Sequence, residues 1–307
     1  MIARCRTALP KISEAMDGRR EAHMDVLVAV FGRAVLYLAP LPSFLRRSDL
    51  KHITDGALKS MANRNEILAK INEWLQPENF QDYCPNGLQV EGNEQVTTLV
   101  TGVTASQALI DAAVAQNADM ILVHHGYFWK GEDQAIRGMK KNRIKQLLDN
   151  DINLVAYHLP LDDHPEYGNN RQLAEVLGIQ NPRPLGGLVW QGELPEPLSV
   201  EKFELEMARA LHRQPLHVGG GADKIKTVAW CTGAAQGFIN VALEAGVDAY
   251  ISGEISEPTT HTARECGIHY FAAGHHATER YGVQALGAAI AEAFGVTHRF
   301  IDCDNPV

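Results

Sequence analysis

An α/β fold of two similar halves, each built on a mainly parallel sheet, is predicted by three observations. Short β-branched runs alternate with helical stretches from residue 97 onward. The same order of elements recurs in the second part of the chain. An apolar fraction of 45% over 307 residues is enough for more than one core.

The elements follow in order. The first sixty residues differ in character from the rest and are read as a non-family extension, an appendage or an upstream-start artefact, with the working protein beginning near Met61. Residues 26–41, VLVAVFGRAVLYLAPL, are interrupted by Arg33 and closed by Pro40, too short for a spanning helix. Acidic Glu14, Asp17, Glu21 and Asp25 precede that run, against a secretory signal. NRNEILAKINEWL then reads as an amphipathic helix. TTLVTGV, SQALIDAAVAQNA, DMILVHH, IRGMKKNRIKQLLDND and INLVAYH form β-α-β units, which dictate right-handed crossovers and parallel strands. KTVAWCTG, AAQGFINVALEAG, VDAYISGE, PTTHTARECG, IHYFAAGHH, a helix over 278–295 and VTHRFID repeat the order. The halves are drawn at 61–190 and 191–307.

An offset of 129 residues superimposes Gln107 on Gln236, Ile110 on Ile239, Ala113 on Ala242 and Asp119 on Asp248, as a duplication would. Each half then places a histidine and an acid four residues apart after a strand: His158 and Asp162, His275 and Glu279. His124 and His125 end the preceding strand of the first half. Ligand sites in open parallel sheets lie at the carboxyl ends of strands, which is where all of these groups fall.

Imidazole and carboxylate together suit zinc, iron, manganese, nickel or cobalt, whereas calcium prefers oxygen alone. A lone strand-end histidine is more often structural than a ligand. The repetition of the pattern in both halves favours ligation, at a site between the halves. Successive strand side chains face opposite ways, so His124 and His125 are expected to address two neighbouring ions where the strand breaks at Gly126. Glu279 is the natural bridge. His158 and His276 are left for orienting or proton-transfer roles, and are the candidate catalytic residues.

A formal charge of −9 argues against general attraction to nucleic acid or an anionic membrane. The basic run Arg137, Lys140, Lys141, Arg143 and Lys145 reads first as a solvated helix face. Five widely spaced cysteines without a Cys-x-x-Cys pair fit a reducing cytoplasm. Tyr127, Phe128 and Trp129 are candidates for stacking on a base, and Lys130 or Arg280 for holding a phosphate, against ordinary packing or a subunit contact. Asn86-Gly87 is a turn signal, and Cys84 beside it reads as a buried hydrophobe.

The segments LVHHGYFWKGE (122–132), HLPLDDHPEYGNN (158–170) and GHHATERYG (274–282), with DYCPNGLQVEG (82–92) and SGEISEPTTHTARECG, resemble the NIF-three-like proteins, also called GTP cyclohydrolase I type 2 homologues. The resemblance runs from about Asn65 to the C-terminus. It implies a dinuclear metal centre with ligands at His124, His125, Asp162, His275 and Glu279. It also implies a toroidal homohexamer with its sites facing an interior cavity, and a short form without the inserted domain of longer relatives. The expected function is metal-dependent hydrolysis of a small molecule, with a purine nucleotide attacked at C8 as the candidate substrate. A non-enzymatic hexameric scaffold or metal-handling protein is the alternative.

Overall fold

A computed structural model describes residues 28–31, 34–37 and 61–307. The expectations for the remainder of the first sixty residues lie outside these. In the N-terminal unit, β1 (Val28–Phe31) and β2 (Ala34–Tyr37) pair antiparallel, with Val30 opposite Val35.

The second unit, Lys59–Val307, carries everything else. It opens with β3 (Ala62–Asn63) and α1 (Arg64–Leu75), capped by the Asn63 side chain accepting from Asn65 N. Next come β4 (Gly87–Val90), β5 (Gln95–Val96), β6 (Thr98–Thr104), α2 (Gln107–Ala115), β7 (Met120–His125), α3 (Gly138–Asp149) and β8 (Asn153–Ala156). Helices α4 (Leu159–Asp163) and α5 (Asn169–Val176) lead to β9 (Gln180–Gly186), β10 (Val189–Ser199), α6 (Val200–Leu211) and β11 (Leu216–Val218). The chain ends with β12 (Lys224–Cys231), α7 (Ile239–Ala245), β13 (Ala249–Ser252), α8 (Glu257–Cys266), β14 (His269–Ala272), α9 (His275–Thr278), α10 (Arg280–Phe294) and β15 (Thr297–Phe300).

Two sheets result. The first has the order β15-β6-β7-β8-β4, parallel except for the antiparallel edge strand β4. The second has the order β11-β14-β13-β12-β10-β9, with a parallel centre of β12, β13 and β14 and antiparallel flanks. Both sheets are covered on both faces, which is why β7 and β13 read as unbroken apolar runs rather than alternating ones. Ile67 and Ile71 of α1 and Val283, Leu286 and Ile290 of α10 fill one face of the first sheet. Leu109, Ile110 and Leu147 fill the other. Phe203, Met207 and Leu211 of α6 pack with Trp230 and Phe271 of the second sheet, and Ile239 and Ala242 of α7 with its opposite face.

The repeat extends to hydrogen bonds. Asp119 Oδ2 accepts from Thr97 N, Thr97 Oγ1 and Thr98 N at 2.8, 2.7 and 3.0 Å. Asp248 Oδ2 accepts from Lys226 N, Thr227 N and Thr227 Oγ1 at 2.9, 2.8 and 2.8 Å. Each aspartate locks the starts of two parallel strands together. VTHRFID, however, does not complete the second sheet: β15 runs beside β6 of the first, Thr297 opposite Thr98. The apolar stripe of α10 faces the first sheet, and β15 follows it there.

Candidate metal centre

The strand ends deliver the predicted side chains to one place. Although β7 alternation should separate them, the rings of His124 and His125 lie 4.6 Å apart between centroids. The chain turns at Gly126, where a Cβ would overlap Gln89 Oε1. His124 is fully buried and its Nδ1 donates to Tyr157 O at 3.0 Å. His125 Nδ1 lies 3.2 Å from Thr104 Oγ1. Asp162, on α4, accepts on Oδ1 from Asn169 Nδ2 at 2.9 Å and Thr232 Oγ1 at 3.2 Å. His275 opens α9 and its Nδ1 donates to Glu254 Oε1 at 2.7 Å. Glu279 sits at the joint of α9 and α10.

His124 Nε2 is 3.5 Å from both Asp162 Oδ1 and Glu279 Oε1. His125 Nε2 and His275 Nε2 are each 3.2 Å from Glu279 Oε2. Among the described residues four groups could hold a cation: two include Glu279, one with His124 and Asp162 and one with His125 and His275, and two include His158, one with His124 and His125 and one with Asp82 and Cys84. Gly233 closes in from the end of β12: with φ of +68°, a Cβ there would overlap Glu279 Oε1 and lie 3.2 Å from His275 Nε2.

These donors fit a metal. Because His124 Nδ1 donates to a carbonyl, the neutral ring presents a lone pair at Nε2 toward two carboxylates. That Nε2 and Glu279 Oε2 are buried without a hydrogen-bond partner. Electron-rich atoms facing one another in a buried site favour a cation among them. With no metal, protons serve. Burial lowers the His124 pKa, but the charges of Asp162 and Glu279 outweigh it and hold the ring at about 9. For His275, burial is likewise overcome by Glu279 and Glu254, again to about 9. His125 goes the other way, to about 3, because burial and the neighbouring histidines exceed the pull of Glu279. Burial raises Asp162, while the histidines hold Glu279 well below the usual carboxylate range. A divalent ion would displace the protons, and nitrogen with oxygen donors suits the borderline metals.

The centre floors a cavity of about 570 Å³ also lined by His158, Trp129, Tyr83, Phe238 and Cys231. His158 Nδ1 donates to Asp82 Oδ1 at 2.6 Å, and its ring lies 5.0 Å from His124 and 4.9 Å from Trp129. Asp82 is fixed by Asn86 Nδ2 at 2.9 Å and Leu159 N at 2.9 Å. Burial would raise it, but His158 and Asn86 bring its pKa down to about 2. His276 is directed elsewhere: its Nε2 contacts Asp302 Oδ1 at 2.7 Å, and it does not line this cavity. Arg280 is held by Asp302 at 3.0 Å and the Leu211 carbonyl at 2.7 Å. Of the three aromatics after the histidine pair, only Trp129 lines the cavity. Tyr127 is buried with its hydroxyl on Ala105 O, and Phe128 lies under Lys140. In the basic helix, Arg137, Lys140 and Lys145 are paired with Asp133, Glu132 and Asp149.

Over residues 62–306 the chain matches the sequence profile of the family described as Duf34/NIF3 (NGG1p interacting factor 3). The chain belongs to that family. Among Duf34/NIF3 relatives, a Pseudomonas aeruginosa protein named GTP cyclohydrolase 1 type 2 homolog is 56% identical over 245 residues, 78% of this chain and 97% of the relative. An Escherichia coli protein of the same name is 54% identical over 242 residues, 78% of this chain and 98% of its own. Among solved structures, protein ybgI, described as of unknown function, superposes with a TM-score of 0.78 at 52% identity, covering 80% of this chain and 100% of that one. A Thermus thermophilus protein does so with a TM-score of 0.75 at 33% identity, over 80% and 100% of the two chains.

Sequence reasoning missed Glu254, Asp82, Thr232 and Gly233. For Glu254 a signal existed, since the offset that carries Asp119 to Asp248 carries His125 onto Glu254. The acid that accepts from His275 thus stands at the repeat position of His125. Among the described residues, no helix is long and apolar enough to cross a membrane.

Proposed function

We propose that this chain is a dinuclear metal-dependent hydrolase acting on a small ring-bearing molecule of purine type. His124, Asp162 and Glu279 would hold one ion, and His125, His275 and Glu279 the other. The observation that carries this reading is the shared Glu279 carboxylate, with one oxygen toward each group of donors. Bound divalent ions would supply Lewis acidity and water of lowered pKa at neutral pH.

The chain's own residues do the rest. His158 Nε2 moves a proton between solvent water and substrate, because Asp82 holds Nδ1 and fixes both tautomer and ring direction. His276, tied to Asp302, supports the ligand helix instead. Trp129, Leu159 and Leu188 line the cavity and exclude bulk water from a ring lying against them. In the metal-free chain, burial and the charges of Asp162 and Glu279 push the Cys231 thiol well above the usual range. The homologues' name supports a nucleotide-related substrate. The motif resemblance supports a homohexamer, which light scattering would register as six chain masses.

The test loads the full chain with manganese, iron or zinc, counts ions by mass spectrometry, and measures formate release from purines beside phosphoester hydrolysis. Two ions per chain are expected, with turnover lost in Asp162→Ala and Glu279→Ala. Two ions without turnover on any substrate would leave the metal-binding scaffold as the function. Less than one ion per chain would sink both.

A further inference from the structure

The walls above the metal centre carry aromatic and aliphatic groups but, among the described residues, no lysine or arginine. The ionisable groups there, cysteine and tyrosine aside, are the carboxylates Asp162 and Glu279 and the histidines His125, His158 and His275. Nearby cations are committed elsewhere. Lys140 pairs with Glu132 at 3.1 Å, Arg280 is bound by Asp302 and the Leu211 carbonyl, and Arg213 donates to the Pro306 carbonyl. Lys130 is exposed and outside the lining, though its backbone N donates to Tyr83 O at 2.6 Å.

A triphosphate tail brings several negative charges that need lysine, arginine or a helix terminus to hold them. The positive charge this cavity would offer is that of the ions. A phosphate chain drawn onto them would put phosphorus, not a purine ring, at the reacting position. Ring chemistry therefore requires a substrate without the tail. Tyr83, Trp129 and Phe238 supply flat apolar surface for such a ring: Tyr83 and Phe238 are 61% and 42% exposed, and the Trp129 ring stands edge-on to His158.

We propose that the substrate of this centre is an uncharged planar heterocycle, a purine base or nucleoside, rather than a nucleoside triphosphate. The inference rests on the hydrolase reading and specifies its substrate class. For guanosine the reaction consumes two waters and transfers no electrons. The first leaves its oxygen on C8 and its two protons on N7 and N9 as the C8–N9 bond breaks. The second splits the resulting formamide, returning a proton to N7 and releasing formic acid.

The experiment uses the metal-loaded full chain with guanosine and GTP as probes, reading formate release and tryptophan fluorescence. Guanosine is expected to quench fluorescence with a Kd at least tenfold below that of GTP, the quench vanishing in Trp129→Phe. Formate kcat/KM is expected to favour guanosine by the same margin, and Lys130→Ala to leave guanosine binding unchanged. GTP releasing formate as efficiently as guanosine overturns the inference while the hydrolase reading stands. Guanosine quenching Trp129 without metal-dependent formate overturns the hydrolase reading and keeps the binding class. Failure of guanosine to bind at all overturns the inference.

Discussion

Replacing Glu254 by glutamine should empty one metal position before the other. The Glu254 carboxylate accepts from His275 Nδ1 at 2.7 Å, the short distance of a charge-assisted hydrogen bond. Such a bond is worth roughly 1.5–3 kcal/mol, one to two decades in affinity. Glu254 is about one-third exposed, with 34% of its side chain accessible, so screening by water sets the effect at the lower end, about tenfold. The loss should fall on the group containing His125 and His275. The group containing His124 and Asp162 is oriented by a backbone carbonyl and by Asn169 and Thr232, none of which touches Glu254. Equilibrium dialysis across a series of free zinc or manganese concentrations, with ion counting, should show a plateau at one ion per chain that the parent lacks. Equal weakening of both positions, or no change in either, would refute the view that Glu254 acts by orienting His275.

Three further outcomes are expected. Gly233→Ala drives a methyl group into Glu279 Oε1 at a positive φ, and should abolish binding of both ions in dialysis while thermal unfolding shows the chain still folded. In the metal-free protein His124 and His275 are raised to about 9, so their stabilisation is complete below about pH 6.5 and lost as pH rises through about 9. Denaturant unfolding at pH 6 and 9 should show that loss, while metal affinity rises over the same window by about tenfold per pH unit for each proton displaced. Asp82→Asn should lower kcat about 10- to 100-fold and alter the pH profile, with ion content unchanged, because it frees His158 without touching the five donors.

What could be read in advance was whatever the chain encodes locally. His124 and His125 announce themselves because a strand of buried residues ends on them, and Asp119 and Asp248 because a fixed offset relates them. The four-residue spacing to Glu279 marked His275, but where the His276 ring goes could not be read from it. Which ring enters the site is decided by the turn at Gly274, φ +101°, and by Asp302, twenty-six residues from His276. Asp82 and Thr232 reach their partners across 76 and 70 residues, a proximity created only when the sheets assemble. The destination of β15 was illegible for the same reason. VTHRFID has strand character, but its partner is chosen by the apolar face of α10, not by the order of elements.

The return of β15 to the first sheet ties the centre to that sheet. Without Thr297–Phe300, β6 would stand as an open edge, and α10, whose first turn follows Glu279, would lose one of the strands it packs on. The carboxylate common to both groups of donors therefore depends on a strand pairing made in the first sheet. Removal of Thr297–Phe300 should leave both sheets but loosen the helix that carries the shared carboxylate.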